Sequence, residues 1–505
     1  MPAPPHTAVM KTRTHLLALA LLLPAATALA EDVVSNLDNA STAQIALSSV
    51  GASAAQAFTT GPEARKLDRI IVRLRGFQAG PHTARVKLWT GSGTLPVTLV
   101  EDLGTVPNIP SGNDGEMTVL STTNPDLAPN TRHWVSVSVS AGDFDWRNTS
   151  DPASTGTGAF VQLRATSPSG NAGTWTEPGF ATSANFQLME VRPIVPQTFT
   201  VTTTADAGGG SLRQAVADAN ANPGADIIVF DSDLDGQTIT LTTGQLLLTD
   251  DVTIDASALP GGISISGNAD DNGTLDPGES RIFEVATGKV VVLRALRLVK
   301  GQASTTAGDN SGRGGAIQTR GNLTLDRCLV ADSRARFGGG IDITGGTLTI
   351  TQSTLSGNSA SQGGGIVVFG GFVELTQCTL SGNSATRGGG IYCIGGSLTI
   401  TQSTLSGNSA SEGGGIFSNP GSLTITRSIV AGNLTGGDID GSFTDNGNNL
   451  TSGDPLLAPL GDYGGPTPTM PPLPGSPAID AGGSTTETTD QRGFPRVAGA
   501  AVDIG

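Results

Sequence analysis

The segment STLSGNSA at 353–360 recurs as CTLSGNSA at 378–385 and again as STLSGNSA at 403–410, each copy 25 residues after the last. The tetrapeptide GGGI keeps the same spacing, at 338–341, 363–366, 388–391 and 413–416. A fixed period of this length is typical of stacked β-coils. Within one repeat, Leu398 and Ile400 alternate with threonines, which is strand spacing, whereas a helix needs apolar residues three and four apart. The repeat therefore predicts short strands in coils that stack on one another.

Stacking would bury a continuous column of aliphatic side chains, each stabilising the fold by roughly 1.5–3 kcal/mol. Four asparagines share one register position, so their amides can hydrogen-bond from coil to coil: Asn358, Asn383, Asn408 and Asn433. Cys328, Cys378 and Cys393 fall at inward positions. Cys328 and Cys378 are two coils apart, roughly 9–10 Å, which is too far for a disulfide. We expect buried free thiols.

Less regular strands between residues 227 and 293 continue the stack towards the N-terminus, and one helical segment, 211–221, precedes them. Ser211 and Gln214 are placed to form a capping box. One face of this segment is apolar, formed by Leu212, Ala215, Val216 and Ala219. The segment predicts a helix that caps the open end of the coil core.

Residues 31–196 lack the 25-residue period and alternate apolar with polar residues, as in Ile70, Val72 and Leu74, which predicts an antiparallel β-sandwich. A face carrying Trp89 could bind an acidic glycan by stacking and ion pairing with four cationic neighbours: Arg73, Arg75, Arg85 and Lys87. The simpler alternative, which we favour, is a solvated face whose tryptophan packs against a loop.

Residues 1–30 are typical of a secretory signal peptide, with basic Lys11 and Arg13, a Leu/Ala-rich run and the sequence Ala-Leu-Ala before Glu31. The run of about 16 residues is shorter than the ~20 needed to span a membrane, so we predict export and no transmembrane segment after cleavage. Acidic residues outnumber basic ones 44 to 28 in the 505-residue chain. This balance excludes nucleic acid as an expected partner and makes cations plausible ones.

The segments GGSLRQAV at 209–216 and ADIIVF at 225–230 resemble the start of bacterial secreted right-handed parallel β-helix proteins of the pectate-lyase-like superfamily. The LSGN units and GGAI at 314–317 resemble polymorphic outer-membrane protein repeats. GDYGGPTPT at 461–469, followed by SPAIDAG, resembles a C-terminal choice-of-anchor module, and the stretch from FTTG at 58–61 onward resembles an N-terminal module of that type. The resemblance implies a secreted or cell-surface location outside the bacterial cytoplasm.

The resemblance to the pectate-lyase-like superfamily raises the possibility of an enzyme, which would need clustered carboxylates. One coil is charged, with Asp326, Arg327, Asp332, Arg334, Arg336 and Asp342. The repeat register spreads these side chains around the perimeter, so we interpret them as surface charge and assign no catalytic residue. Tyr392 and Phe417 align with Asp342 and Val367 on one register row and are candidates for exposed contact residues.

A calcium loop is the metal site that the sequence indicates best; a second string, Asp231, Asp233, Asp235 and Gly236, lacks the terminal carboxylate and is weaker. In NADDNGTLDPGE at 268–279, oxygen-bearing side chains occupy the ligand positions of a Ca²⁺ loop and Gly273 takes the sharp-turn position. The predicted ligands are Asn268, Asp270, Asn272, Asp276 and Glu279. A plain acidic turn is the alternative, and the sequence slightly favours it.

Together these patterns predict an all-β protein, an N-terminal β-sandwich followed by a right-handed parallel β-helix with an N-terminal capping helix. The predicted parts are a signal peptide (1–30), the sandwich (31–196), the β-helix (197–450) and a C-terminal capping or anchor-associated module (451–505). The favoured function is an exported, surface-associated, adhesin-like structural module that binds a polysaccharide or cell-surface glycan. The alternative is a polysaccharide lyase or glycoside hydrolase of the pectate-lyase-like superfamily. The sequence does not indicate an oligomeric state.

Overall fold

The protein divides into two compact units, unit 1 (Met1–Ile194) and unit 2 (Val195–Gly505). The structure is a computed structural model that describes residues 34–35, 43–47, 53–60, 65–76, 83–91, 97–109, 115–141, 144–149, 159–167, 186–187, 189–193, 196–268, 280–303 and 312–505. The predicted signal peptide, 1–30, lies outside these residues.

Unit 1 is a β-sandwich. Its strands are β1 (Val34–Ser35), β2 (Ala43–Leu47), β3 (Ser53–Thr59), β4 (Arg65–Gly76), β5 (Thr83–Thr90), β6 (Thr98–Val106), β7 (Gly115–Leu120), β8 (Asp126–Leu127), β9 (Arg132–Ala141), β10 (Phe144–Thr149), β11 (Ala159–Ser167), β12 (Phe186–Gln187) and β13 (Met189–Pro193). One antiparallel sheet follows the order β1-β13-β4-β10-β12 and the other the order β11-β3-β9-β5-β6. Val72 of the first sheet and Leu88 and Val137 of the second share one core, because alternate residues of each strand face inward.

Unit 2 is a stack of parallel strands with one helix at its start. Its elements are β14 (Thr198–Val201), α1 (Leu212–Ala221), β15 (Asp226–Phe230), β16 (Thr238–Thr240), β17 (Leu246–Leu248), β18 (Val252–Asp255), β19 (Ile263–Ser266), β20 (Phe283–Val285), β21 (Val290–Arg294), β22 (Leu296–Val299), β23 (Ile317–Thr319), β24 (Asn322–Asp326), β25 (Leu329–Ala331), β26 (Ile341–Ile343), β27 (Thr347–Thr351), β28 (Thr354–Ser356), β29 (Ile366–Val368), β30 (Phe372–Thr376), β31 (Thr379–Ser381), β32 (Ile391–Cys393), β33 (Ser397–Thr401), β34 (Thr404–Leu405), β35 (Ile416–Ser418), β36 (Ser422–Thr426), β37 (Ile429–Val430), β38 (Ile439–Gly441) and β39 (Thr444–Asp445). A 3₁₀ turn, Ser232–Leu234, follows β15.

Three parallel sheets run along the stack, and the chain visits each of them once per coil. Sheet A has the order β14-β15-β18-β21-β24-β27-β30-β33-β36-β39. Sheet B has the order β16-β19-β22-β25-β28-β31-β34-β37. Sheet C has the order β17-β20-β23-β26-β29-β32-β35-β38. This arrangement is the predicted right-handed parallel β-helix.

The coil core is a column of aliphatic residues, into which the three cysteines also point. The predicted burial of Cys328, Cys378 and Cys393 is confirmed, and their thiols are free. The predicted asparagine ladder is also confirmed. Side-chain amides donate to the carboxamide oxygen of the next coil at 2.9 Å from Asn358 to Asn383 and at 2.9 Å from Asn383 to Asn408.

The glycine triplets are needed for close coil-to-coil contact as well as for turning. Gly363 adopts a φ of +66°, a left-handed conformation that favours glycine. Its neighbour Gly364 is different, because a Cβ there would overlap the carbonyl oxygen of Gly389 in the next coil. The sequence predicted the turn but not this backbone approach.

Helix α1 covers the first coil, as predicted. Leu212 and Val216 join the coil core, and Ser211 Oγ accepts a hydrogen bond from the Gln214 amide at 3.1 Å. The capping box is only half formed, because the Gln214 side chain donates to Asp218 at 2.8 Å instead of returning to the Ser211 amide.

The C-terminal segment, 451–505, packs on sheet B within unit 2. Thr379 Oγ1 donates to Gln491 Oε1 at 2.8 Å, and Gln402 Nε2 donates to Thr485 Oγ1 at 2.9 Å. A separate small core containing Ile429 and Ile504 joins the segment to the last coil.

Candidate functional site

The outer face of sheet C carries a row of residues that are mostly inaccessible to solvent. In strands β20 to β35 the middle residue lies between two residues that face the core, so it points outward. Register pairing aligns these middle residues from coil to coil: Glu284, Gln318, Asp342, Val367, Tyr392 and Phe417. Asp342 and Val367 are 0% exposed and Tyr392 is 5% exposed. This face is therefore a covered surface.

Asp342 does not belong to the surface charge of its coil, which corrects the sequence prediction. Asp332 and Arg334 of the same coil are exposed, as predicted. Asp342 points outward from β26 but is covered, and Arg313 lies beside it, with its guanidinium carbon 4.6 Å from the centre of the Phe369 ring. The repeat register gave the direction of the side chain, but it could not show what covers it.

One oxygen of the Asp342 carboxyl group accepts a hydrogen bond, and the other does not. Arg313 Nη1 donates to Oδ1 at 3.3 Å, whereas Oδ2 is buried and finds no partner among the residues described. Burial raises the pKa of Asp342 to about 6, although the positive charges of Arg313, Arg281 and Arg320 oppose this effect. The group can therefore hold a proton at mildly acidic pH.

Glu284, two strands away in the same row, has the opposite environment. Its carboxylate accepts hydrogen bonds from Gln245 at 2.5 Å, Arg320 at 2.8 Å and Arg281 at 3.2 Å. Burial alone would raise the pKa of Glu284, but the bonds from Gln245 and Arg320 and the charges of the two arginines outweigh it and hold the pKa below its ordinary value. Glu284 therefore remains ionised while Asp342 titrates.

Gln318 lies between the two carboxyl groups and accepts a hydrogen bond from Arg281 Nη1, the same nitrogen that donates to Glu284. Two strand spacings separate Glu284 from Asp342, so their Cα atoms are about 9–10 Å apart. Two carboxyl groups with pKa values shifted in opposite directions can act as an acid and a base in one reaction.

Aromatic rings continue the row beyond Val367. Tyr392 and Phe417 stack with their ring centres 5.2 Å apart and their planes at 23°, and the Arg387 guanidinium lies 5.8 Å from the Phe417 ring centre. Both residues were predicted to be exposed. Phe417 is partly exposed, but Tyr392 is buried because its neighbours in the row pack against it.

The predicted calcium loop lies mostly outside the described residues. Asp270, Asn272, Asp276 and Glu279 lie outside the described residues, whereas Asn268 is buried and its main chain hydrogen-bonds with the Ser266 hydroxyl group. In the part of the chain that the structure describes, no group of three or more His, Cys, Asp or Glu side chains is arranged to hold a metal ion.

The predicted cationic face of the sandwich does not form as one surface. Arg73 and Arg75 lie on β4 and Arg85 and Lys87 on β5, and these strands belong to different sheets. Trp89 is buried and donates to Ser136 Oγ at 2.8 Å. The favoured alternative, a solvated face whose tryptophan packs against a loop, is met in part: Trp89 packs, but its partner Ser136 lies on strand β9.

Sequence reasoning missed Glu284, Arg281, Gln245 and Arg313. They lie in the irregular coils, where the number of residues between register partners such as Glu284 and Gln318 differs from the 25-residue repeat. Extending the register row from Asp342 towards the N-terminus, strand by strand, was the signal that could have found Glu284.

No family model and no curated protein matches the chain. Among solved structures, it is similar to an alanine variant of the catalytic domain of GH87 alpha-1,3-glucanase in complex with tetrasaccharides, at 10% identity and a TM-score of 0.19, over 81% of this chain and 91% of that one. It is also similar to the catalytic unit of thermostable GH87 alpha-1,3-glucanase from Streptomyces thermodiastaticus strain HF3-3, at 13% identity and a TM-score of 0.15, over 83% and 96%. At these TM-scores the superpositions carry no argument about the activity of this chain.

These comparisons do not support the prediction of an adhesin-like structural module, because the solved structures named above are described as catalytic domains of glucanases, the class of protein given as its alternative. No helix in the described residues has the length and hydropathy needed to cross a membrane.

Proposed function

We propose that the protein hydrolyses glycosidic bonds of a polysaccharide at the outer face of sheet C. The observation that carries the proposal is the pairing of Asp342, whose burial raises its pKa to about 6, with Glu284, whose pKa is held low by its hydrogen bonds. Glycoside hydrolases use two carboxyl groups in these two protonation states.

In the proposed reaction, protonated Asp342 gives its proton to the glycosidic oxygen as the bond from that oxygen to the anomeric carbon breaks. Glu284 takes a proton from a water molecule, whose oxygen bonds to the same carbon. The two residues lie two strand spacings apart, about 9–10 Å between Cα atoms, and the separation of their carboxyl groups around the bound sugar would decide between inversion and retention at the anomeric carbon. Arg320 and Arg281 keep Glu284 ionised and oriented.

Access to Asp342 would require Arg313 to move, because Asp342 is 0% exposed and the Arg313 guanidinium contacts its carboxyl group. The Arg313 side chain is 25% exposed, contacts Asp342 at 3.3 Å and packs over the Phe337 and Phe369 rings, so a bound sugar has to replace these contacts. The stacked Tyr392 and Phe417 rings lie farther along the row, where the edge of Phe417 offers a sugar an apolar contact.

The test is incubation with neutral and acidic polysaccharides, α-1,3-glucan included because the similar solved structures are described as enzymes for it. New reducing ends from the wild-type protein, lost in Asp342→Asn and Glu284→Gln but kept in Asp326→Asn, would support the proposal. Asp326 is a matched control because it pairs with Arg294 on sheet A. Unsaturated products would instead indicate a lyase, and no products from any polysaccharide would contradict the proposal.

We also propose that the protein is exported, that its terminal modules are of the choice-of-anchor type, and that the loop 268–279 binds Ca²⁺. The signal-like residues 1–30, the GDYGGPTPT segment and the ligand spacing of the loop support these proposals.

A further inference from the structure

A cavity of about 90 Å³ lies between sheet B and the C-terminal segment, far larger than the ~10–15 Å³ that one water needs. Sheet B contributes Thr379, the turns that lead into it contribute Gln377 and Gln402, and the C-terminal segment contributes Thr469, Gln491 and Arg496. Proline side chains of the same segment supply apolar walls. A polar lining with apolar walls is typical of small-ligand sites.

Two buried polar atoms of this lining have no hydrogen-bond partner, Thr469 Oγ1 and Arg496 Nε. Thr469 is 7% exposed, so solvent cannot easily satisfy its hydroxyl group. A buried donor without a partner costs about 1–3 kcal/mol, and a native structure rarely keeps two in one cavity unless something binds there.

Burial lowers the pKa of Arg496, and the nearby carboxylates of Asp490 and Asp503 oppose this effect without hydrogen-bonding to its guanidinium among the described contacts. Its Nη2 atom donates to main-chain oxygens, at 2.7 Å to Gly505 and 3.2 Å to Asp503, and none of the described carboxylates forms an ion pair with it. The acidic Asp490 in the same lining is already paired with Arg492 at 2.6 Å. The Nε–H of Arg496 is therefore a buried charged donor in the cavity lining without a hydrogen-bond partner among the described residues.

We propose that this cavity binds a small ligand through an oxyanion, a carboxylate, sulfate or phosphate group, that accepts hydrogen bonds from Arg496 Nε and Thr469 Oγ1. The ligand's uncharged part would pack on the proline walls. The site is on sheet B, so the proposal does not depend on hydrolysis at sheet C.

The test measures binding of acetate, galacturonic acid, sulfate and inorganic phosphate to the full chain by calorimetry, with glucose as an uncharged probe. Arg496→Lys keeps the charge but removes the Nε donor, and Thr469→Val removes only the hydroxyl group. Each variant should weaken binding about tenfold or more, since a hydrogen bond to a charged group contributes about 1.5–3 kcal/mol. Arg387→Gln, an exposed arginine paired with Glu412, should bind as the wild type does.

Melting temperature gives a second readout, because the hydroxyl group of Thr469 has no partner to lose. Without ligand, Thr469→Val should melt at the wild-type temperature or above, and it should lose the rise that the anion gives the wild type. Comparing the carboxylate probes, acetate and galacturonic acid, with sulfate and phosphate shows which oxyanion the site prefers. The proposal would be overturned if the wild type bound none of the anions, or if both cavity variants bound them as tightly as the wild type does. A preference of the wild type for glucose would also overturn it.

Discussion

Replacing Asp342 with asparagine should change how the stability of unit 2 depends on pH. In the fold the pKa of Asp342 is about 6, against an ordinary value of 3.8. At about 1.36 kcal/mol per pH unit, this difference corresponds to about 3 kcal/mol. Between pH 3.8 and about 6 the folded state binds the Asp342 proton more tightly than the unfolded chain, so the free energy of unfolding falls as pH rises. The full destabilisation by the buried, ionised carboxylate is present above pH ~6.

Asparagine cannot ionise and carries no such cost. Asp342→Asn should therefore gain stability relative to the wild type as pH rises from about 4.5 to about 7.5, and about 2 kcal/mol of the difference should develop over that window. Urea unfolding followed by far-ultraviolet circular dichroism measures it, with Asp326→Asn as the control. A difference between variant and wild type that stays constant with pH, or that moves in the opposite direction, would refute the reasoning.

Three further predictions concern other parts of the chain. His133 is buried against Phe58, and burial lowers its pKa to about 4. The free energy of unfolding of unit 1 should therefore fall by up to about 3 kcal/mol as pH falls from 6.5 towards 4. Tryptophan fluorescence reports on unit 1, because the tryptophans lie there, and should show this loss, which His133→Phe should abolish. Gly364→Ala should destabilise unit 2 by more than about 2 kcal/mol in urea unfolding, whereas Gly345→Ala, where a Cβ meets nothing closer than 4.0 Å, should be tolerated; equal effects would contradict the backbone-contact explanation. Calcium should raise the melting temperature of the wild type and not that of a variant with Asp270→Asn and Glu279→Gln, and no shift with Ca²⁺ or chelator would count against the loop.

The sequence was sufficient for the repeat because each coil repeats the same local chemistry. The inward cysteines and the Asn358 ladder followed from register alone, since residues 25 apart occupy the same place in successive coils. Strand alternation likewise predicted the sandwich from Ile70, Val72 and Leu74, which face its core.

The candidate site needed information that register does not carry. Register gave the direction of the Asp342 side chain correctly, but its contact with Arg313 joins residues 29 positions apart, which is not one repeat. Glu284 was missed because the coil before Gln318 is longer than the repeat. The cavity under the C-terminal segment depends on contacts between residues more than a hundred positions apart, such as Thr379 and Gln491, which no local pattern predicts.

The dependence of polysaccharide cleavage on pH tests the central claim most directly. Because Asp342 must carry the proton and Glu284 must be ionised, reducing-end release by the wild type should fall as pH rises through about 6 and should also fall in strong acid. Asp342→Asn should show almost no release at any pH. Cleavage by Asp342→Asn at the wild-type rate, or a wild-type rate that keeps rising well above pH ~6, would contradict hydrolysis at sheet C.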